Sequence, residues 1–567
     1  MAEAQKETKA QRAERLKREK NAWDRLDEIR EFARKGFDSI SPEWMSTYFR
    51  YWGVYTQGDG IGAVGGVGGE GKALPFFMVR IRIPNGLLLS HQVRAIANVT
   101  EKYARNVVDI TVRQNIQLHW VRIEDLPEVL DTLWRAGLTT MGACGDDTRN
   151  ITGCPVAGID ADEVFDASPL ALELNRFFVG NADFYNLPRK FKISLTGCTS
   201  WCSYPEINDV GLTGVIRRRA GKEEQGFSLR VGGGLSTQPH LAVKLNAFVT
   251  SHQVLPVFRN IAAIFRDSDV LRQSREKARL KFLFLEHGWT AESFLAELNN
   301  RLGFKLDPAE EEIVPNDIFR DHVGIRAQKQ TGYAYVGASV LRGRLNAQQL
   351  REVANLADRF ANGEVRTTVM QNLLIANVPQ QHANELAREL EAIKLRVDGS
   401  PFWRGAIACT GTEFCKLAIT ETKNFARWVV DELEERLPAF DQQLKLNVTG
   451  CPNSCGQHWI ADLGLEGKKI KIDGKMVDAY YFCVGGAVGQ SQAVARPVGY
   501  RCAASDVPDA ITRLLTQYTI QRNDGENLRH FFARHSVEEL RSFLSGSFVP
   551  AVARDLPTAR TPHGVEG

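Results

Sequence analysis

Two cysteine couplets carry the strongest chemical signal in the chain: Cys409-Thr-Gly-Thr-Glu-Phe-Cys415 and Cys451-Pro-Asn-Ser-Cys455, separated by an insert long enough for a helix. Four thiolates are what an iron–sulfur cube needs, and they equally satisfy a structural zinc ion. The Cys409/Cys415 spacing is looser than that of a zinc ribbon. Glycine, small and helix-starting residues follow each couplet, so backbone amides are free to hydrogen-bond the sulfurs. The second constellation is cationic: Arg113, Arg149 within Gly145-Asp-Asp-Thr-Arg-Asn, and Lys190 and Lys192 on either side of Phe191. Alternation along a strand places both lysines on one face. If the four cations converge, they bind a small oxyanion or a cofactor carboxylate. In isolation a strand Lys-x-Lys is ordinary solvated surface charge, and the run Arg275-Glu-Lys-Ala-Arg279-Leu-Lys281 reads as an exposed helix face.

The elements that position these residues occur twice. Phe76 opens a strand, Ser90–Tyr103 reads as a serine-capped amphipathic helix, Val108–Trp120 as a strand and Leu126–Ala136 as a helix. The same order returns with a strand from Tyr335, a helix Asn346–Phe360, a strand Val365–Val378 and a helix Gln381–Ile393. Residues match as well as elements. Thr111-Val-Arg-Gln-Asn-Ile-Gln-Leu lies against Thr368-Val-Met-Gln-Asn-Leu-Leu-Ile, and Leu195-Thr-Gly-Cys198-Thr-Ser-Trp-Cys202 against Val448-Thr-Gly-Cys451-Pro-Asn-Ser-Cys455. Asp209-Val-Gly-Leu repeats as Asp462-Leu-Gly-Leu, always at a separation of 253 to 257 residues. The duplication implies pseudo-two-fold symmetry. It also makes the differences informative: Arg113 faces Met370, and only the second half has the full cysteine set, since upstream of Cys198 and Cys202 the first half offers Cys144 and Cys154 at another spacing. One half holds a metal cluster, the other supplies charge for a ligand, and the site lies between them.

With 567 residues, 43% of them apolar and 25% charged, the chain has the composition of a multidomain globular protein. A net charge of +3 is too mild to indicate nucleic acid. The N-terminal stretch is polar and has no signal-peptide core, and no apolar run is long enough to span a bilayer, so no membrane role is expected and the cytoplasm is the default compartment. Ten cysteines there point to metal or redox chemistry rather than disulfides. The glycine-rich stretch Gly58–Gly71 has a strand after it where a phosphate loop would need a helix, so it reads as a flexible or cofactor-covering loop. The first 40 residues read as a charged helix with Trp23, Leu26, Ile29 and Phe32 on its apolar face, packed on a later domain.

The pieces Cys409-Thr-Gly-Thr-Glu-Phe-Cys415-Lys-Leu-Ala-Ile-Thr-Glu-Thr-Lys and Thr449-Gly-Cys451-Pro-Asn-Ser-Cys455-Gly-Gln resemble the cluster signature of the sirohaem nitrite and sulfite reductases, and the resemblance runs from about Tyr48 to Leu544. It implies an internally duplicated α+β fold: two ferredoxin-like half-domain units (71–140 and 326–398) and two larger α/β domains, one for sirohaem and anion binding (141–325) and one for the [4Fe–4S] cluster and sirohaem (399–545). A helical and glycine-rich segment (1–70) precedes them and a tail (546–567) follows. It implies a [4Fe–4S] cube on Cys409, Cys415, Cys451 and Cys455, with Cys455 shared with the sirohaem iron. The family's anion-binding cations fall on Arg113, Arg149, Lys190 and Lys192. Gln114, Asn115, the amides of Gly232, Gly233 and Gly234, and the side chains of Arg279 and Lys281 are implied as sirohaem contacts.

The signature sits nearer the ferredoxin-dependent nitrite reductases, while Lys192 is the sulfite-reductase choice. Six-electron reduction of nitrite to ammonia is therefore the leading expectation and reduction of sulfite to sulfide the alternative. No flavin or nicotinamide module is visible, so electrons are expected from a separate ferredoxin, with Lys416, Lys423, Lys468 and Lys469 as candidate docking charges. Cys198 and Cys202 read as a relic of the duplication, with a redox or second metal role together with Cys144 or Cys154 as the alternative, and His119, Cys483 and Cys502 read as packing residues.

Overall fold

A computed structural model describes residues 7–64, 69–219, 221–315 and 319–547; part of the glycine-rich stretch and nearly all of the tail lie outside the described residues. Four five-stranded sheets organise the chain. The first small sheet orders Val54–Gly58, Ala73–Ile81, Ile116–Val121, Val108–Ile110 and Arg344–Leu345. The second orders Gly324–Ala327, Tyr333–Ala338, Leu373–Pro379, Glu364–Thr367 and Leu87–Leu89. Each therefore takes its last strand from the other half, and the exchange locks the two units together.

The helices Ser90–Tyr103 and Ala347–Phe360 pack across the axis relating the units. Arg94 pairs with Asp358 at 2.6 Å, and Arg351, its equivalent, pairs with Glu101. Reciprocal pairing of equivalent residues is the mark of a two-fold contact. One apolar core runs through both units and also takes in Leu16, Trp23, Ile29 and Trp44 from the N-terminal segment.

Each large sheet has three parallel strands followed by two antiparallel ones. In the first these are Thr148–Gly153, Phe191–Thr196, Val210–Arg219, Lys222–Val231 and Val243–Thr250. In the second they are Ala406–Ala408, Leu446–Thr449, Leu463–Ile472, Lys475–Val484 and Arg496–Ala503. The first two parallel strands of each sheet are buried almost throughout, as central strands covered on both faces are, and each sheet has its own core.

Four local expectations change. Val108–Trp120 is a hairpin rather than one strand, because the polar run Thr111–Asn115 turns, with Gln114 at φ 59°. Val365–Val378 does the same through Gln371 at φ 62°. The helix at Ser90 is capped not by the serine side chain but by Gln92, whose Oε1 accepts from Leu89 N at 3.0 Å. The N-terminal segment is two helices, Lys9–Glu19 and Leu26–Lys35. It docks through buried Lys17, which donates to Leu187 O at 2.8 Å and pairs with Glu14 and Asp146.

Candidate active site

The four cysteines of the second-half couplets stand beyond the carboxyl ends of parallel strands, the usual place for a ligand on such a sheet. Ala406–Ala408 delivers Cys409, and Leu446–Thr449 delivers Cys451 and Cys455 through a loop with Ser454 and Gln457 left-handed. Gly450 N donates to Cys409 Sγ at 3.2 Å. Among the described residues, no three of these sulfurs lie within 4.8 Å of one another. A tetrahedral zinc, with Zn–S near 2.3 Å, would draw four sulfurs to about 3.8 Å of each other. The wider set fits a multi-iron cluster. The thiols still feel one another: Cys415 is pushed up to about 12, first by burial and then by Cys455. Cys451 is buried, Cys409 and Cys415 are half-buried, and Cys455 is exposed.

The Cys409–Cys415 loop is held from both sides. His119 stacks on Phe414 at 3.8 Å and lies 3.0 Å from Asp109. Asp109 in turn pairs with Arg344 at 3.0 Å and Lys423 at 3.7 Å. Lys423 is therefore buried and is not a docking charge. On the other side Gly58, Ala63 and Gly71 donate backbone N–H groups to Phe414, Ala418 and Lys416 at 2.8–2.9 Å, so the described flanks of the glycine-rich stretch cover this loop. A Cβ on Gly62 would come within 2.2 Å of Ala418 O.

The cations converge. Arg113 donates to Asn208 Oδ1 and Asn150 O, both at 2.6 Å, while its Nε is buried without a partner. Burial pushes it down to about 9, with Arg149 adding to the effect. Arg149 bonds Gly145 O at 2.5 Å and stands 3.5 Å from Asp147. Lys190 and Lys192 have neither a side-chain hydrogen bond nor an ion pair among the described residues. Burial, then Arg279, Arg189 and Arg149, push Lys190 down to about 7; Cys455 opposes them, which puts that exposed thiol within electrostatic reach of the lysine. Lys192 is held well below its usual range by burial and then by Lys190.

Other expected contacts are placed differently. The segment 275–281 is no exposed helix. Arg275 pairs with Asp146 at 2.5 Å, Arg279 binds Asp209 through two bonds of 2.7 and 3.0 Å, and Lys281 donates to Leu235 O at 3.0 Å. Their carbonyl and carboxylate partners are buried, so the segment folds inward to reach them. The amides of Gly232, Gly233 and Gly234 are committed to Asp209 O, Asn208 O and His240 O at 2.8–2.9 Å, and are not free for a cofactor. What glycine supplies is clearance, since a Cβ on Gly233 would meet two carbonyl oxygens at 2.6 Å.

Gln114 is likewise committed, accepting from Gly153 N at 3.0 Å and donating to Thr367 O at 2.9 Å; it ties the halves together and does not face the cations. Asn115 Oδ1 accepts from Ile83 N at 3.4 Å. Two residues of the cluster were not singled out from sequence. Asp209 holds Arg279 and also accepts from Lys192 N at 2.8 Å. Arg82, fully buried, leaves Nη2 without a partner beside Arg149, and the alternation Arg80-Ile-Arg82 was its only signal.

The family model described as nitrite and sulphite reductase 4Fe-4S domain matches residues 144–306 and 400–548, and that of the nitrite/sulfite reductase ferredoxin-like half domain matches 71–135 and 326–393. The chain belongs to the nitrite and sulphite reductase family. It is 37% identical to an assimilatory ferredoxin-dependent nitrite reductase of Haloferax mediterranei over 89% of this chain and 88% of that one. It is 35% identical to a ferredoxin sulfite reductase of Mycobacterium tuberculosis over 93% of this chain and 95% of that one. The solved structure of Mycobacterium tuberculosis NirA superposes with a TM-score of 0.87 at 34% identity, covering 93% of this chain and 97% of that one.

The residues present fit this family's cofactors, sirohaem and a [4Fe–4S] cluster. The cysteine set is too wide for one ion. Beside it stand the ammonium groups of Lys190 and Lys192, without a side-chain hydrogen bond or ion pair among the described residues, a charge excess that suits a polyanion. Cys409, Cys415, Cys451 and Cys455 are the thiols that would hold the cluster, and Cys455 is the exposed one, within electrostatic reach of Lys190.

Proposed function

We propose that this enzyme reduces nitrite to ammonia in a six-electron reaction, with electrons from reduced ferredoxin. Lys190 and Lys192 carry the reading: two adjacent, half-buried ammonium groups without an anion, beside Arg113 and Arg149 and within reach of exposed Cys455. Sirohaem and the cube, when bound, would supply the redox chemistry, and Cys409, Cys415, Cys451 and Cys455 would hold them. The chain's own residues attract the oxyanion and protonate it. Arg113 and Arg149 are fixed by backbone carbonyls and present pre-oriented positive charge. Lys190, near 7, gives up a proton and regains it from solvent at neutral pH. We place the reaction in the cytoplasm, where thiols stay reduced. Lys416, Lys468 and Lys469 remain as candidate charges for ferredoxin, the last two already paired with Glu466 and Asp478.

Sulfite is the second reading, and Lys192 is the observation favouring it: a second unpaired ammonium suits a dianion. Steady-state kcat/KM for both anions, with reduced ferredoxin or a viologen, separates the two. The nitrite assignment expects the larger value for nitrite and a further shift toward nitrite in Lys192→Asn. A clear excess for sulfite in the wild type reverses it.

A further inference from the structure

The first half contains a cluster of metal-ligating side chains that the reductase reaction does not use. Cys154 follows the strand Thr148–Gly153 as Cys409 follows Ala406–Ala408, and Cys198 and Cys202 copy Cys451 and Cys455. Cys154 is thus the structural equivalent of Cys409, and it lies 255 residues before it, inside the separation of the repeat. Three of the four cluster positions keep cysteine. The fourth does not: Asp160 stands six residues after Cys154 as Cys415 stands six after Cys409, and it is ion-paired with Arg320 at 2.9 Å. His322 enters the site instead, from the segment leading into the second ferredoxin-like unit.

The geometry differs from that of the cube site in the one respect that matters for metal choice. Ligand atoms of Cys154, Cys202 and His322 all lie within 4.8 Å of one another, the one such set among the described residues. Cys198 stands beside that set, outside its 4.8 Å circle: its sulfur accepts from Cys202 N and Thr196 Oγ1, both at 3.3 Å. The four residues are 1–5% exposed, and Val156, Ala157, Ile159, Leu374 and Ala376 close the site from solvent. His322 Nδ1 lies 3.5 Å from Tyr335 Oη, while Nε2 is buried without any partner. A ring nitrogen fixed on one side and orphaned on the other is the usual state of a metal-binding histidine.

We propose that Cys154, Cys198, Cys202 and His322 form a closed Cys3His site for a single zinc ion. Three tightly spaced N/S ligands with a fourth thiol beside them match structural zinc. A disulfide between two of the cysteines would leave the third thiol and the orphaned imidazole unexplained. Zinc binding displaces the thiol protons and leaves the imidazole neutral. Its place in the fold gives it a role. Two ligand loops belong to the first large domain. His322 is pinned to the second half by Arg404 on Asp321 at 2.8 Å and by the strand Tyr333–Ala338, where a Cβ on Gly337 would come within 1.7 Å of His322 O. The ion ties the linker to the first domain at the pseudo-symmetric position of the cube.

The test is metal analysis of holoenzyme purified in chelator-treated buffers, with zinc K-edge absorption. About one zinc and about five irons per chain are expected, with three sulfur neighbours near 2.3 Å and one nitrogen near 2.0–2.1 Å. His322→Ala should lose the zinc while keeping the sirohaem Soret band, and His322→Cys should keep it with a fourth sulfur neighbour. Zinc below about a tenth per chain, iron near nine per chain (a second cube), full zinc in His322→Ala, or a disulfide among the three cysteines in non-reduced peptide maps would each overturn the proposal. Should the variants fail to fold, the wild-type count and absorption spectrum decide alone.

Discussion

Lys192 and Lys445 occupy the same place in the two halves, and each donates its backbone N–H to an aspartate at 2.8 Å, Asp209 in one case and Asp462 in the other. The copying continues around them. Gly232 and Gly485 donate to those aspartates' carbonyls at 2.9 Å, and Gly233 and Gly486 to the preceding carbonyl at 2.9 Å. The side chains then diverge. Around Asp209 stand Arg113, Arg149, Lys190 and Arg279. The equivalents of Arg113 and Lys190 are Met370 and Gln443, and Lys445 Nζ is taken by Tyr204 Oη at 2.8 Å. That second pocket is a cavity of about 350 Å³ lined by Phe319, Gln443, Lys445, Asp462 and Arg529. One backbone thus carries two different electrostatic environments, set by a few positions, and the anion site is a matter of charge placed on a shared frame.

Giving the first pocket the second one's residues breaks that contrast most directly. Arg113→Met with Lys190→Gln should lower kcat/KM for nitrite by about 10²–10³-fold, with Soret intensity separating lost catalysis from lost cofactor. Asp209→Asn should cost about 3–5 kcal/mol, because it strands Arg279 in a buried place. Asp462→Asn should cost clearly less, since burial already pushes Asp462 up to about 6; the two melting temperatures give the order. Gln114→Ala and Gln371→Ala remove equivalent ties between the halves, and each should cost about 1–3 kcal/mol. Equal stability of either variant and the wild type would show that the tie is dispensable.

The smallest effect is in pH. Lys190 is charged below about 7 and neutral above it, so nitrite affinity falls and KM rises as pH climbs through that value. The rise should vanish in Lys190→Gln and persist in Lys445→Met, whose lysine is also near 7 but sits in the second pocket.

The duplication, the helices and the cysteine couplets were legible because each is a local or periodic pattern. Two hairpins were not: the apolar alternation of Val108–Trp120 and Val365–Val378 runs on through a turn fixed by one left-handed glutamine in each. Gln114, Asn115 and the three glycines belong to the same motifs as the site residues but serve the frame, and only their hydrogen-bond partners reveal it. Arg279 and Lys281 looked exposed because sequence shows the charges without the buried Asp209 and carbonyls that draw them in. Cys154 was passed over for a different reason: Asp160 stands where the couplet's second cysteine would be, so no cysteine pair marks the position, although its 255-residue separation from Cys409 matches the repeat.

The account rests on Cys455, the one exposed thiol of the set, as the link between the cube and the cation pocket. Viologen-driven nitrite turnover of Cys455→Ser tests it, with iron content and the Soret band recorded on the same preparation. The expected result is turnover at least about 10²-fold below wild type, a larger loss than that of an outer-sphere partner. Wild-type turnover in that variant would contradict the arrangement proposed for the site.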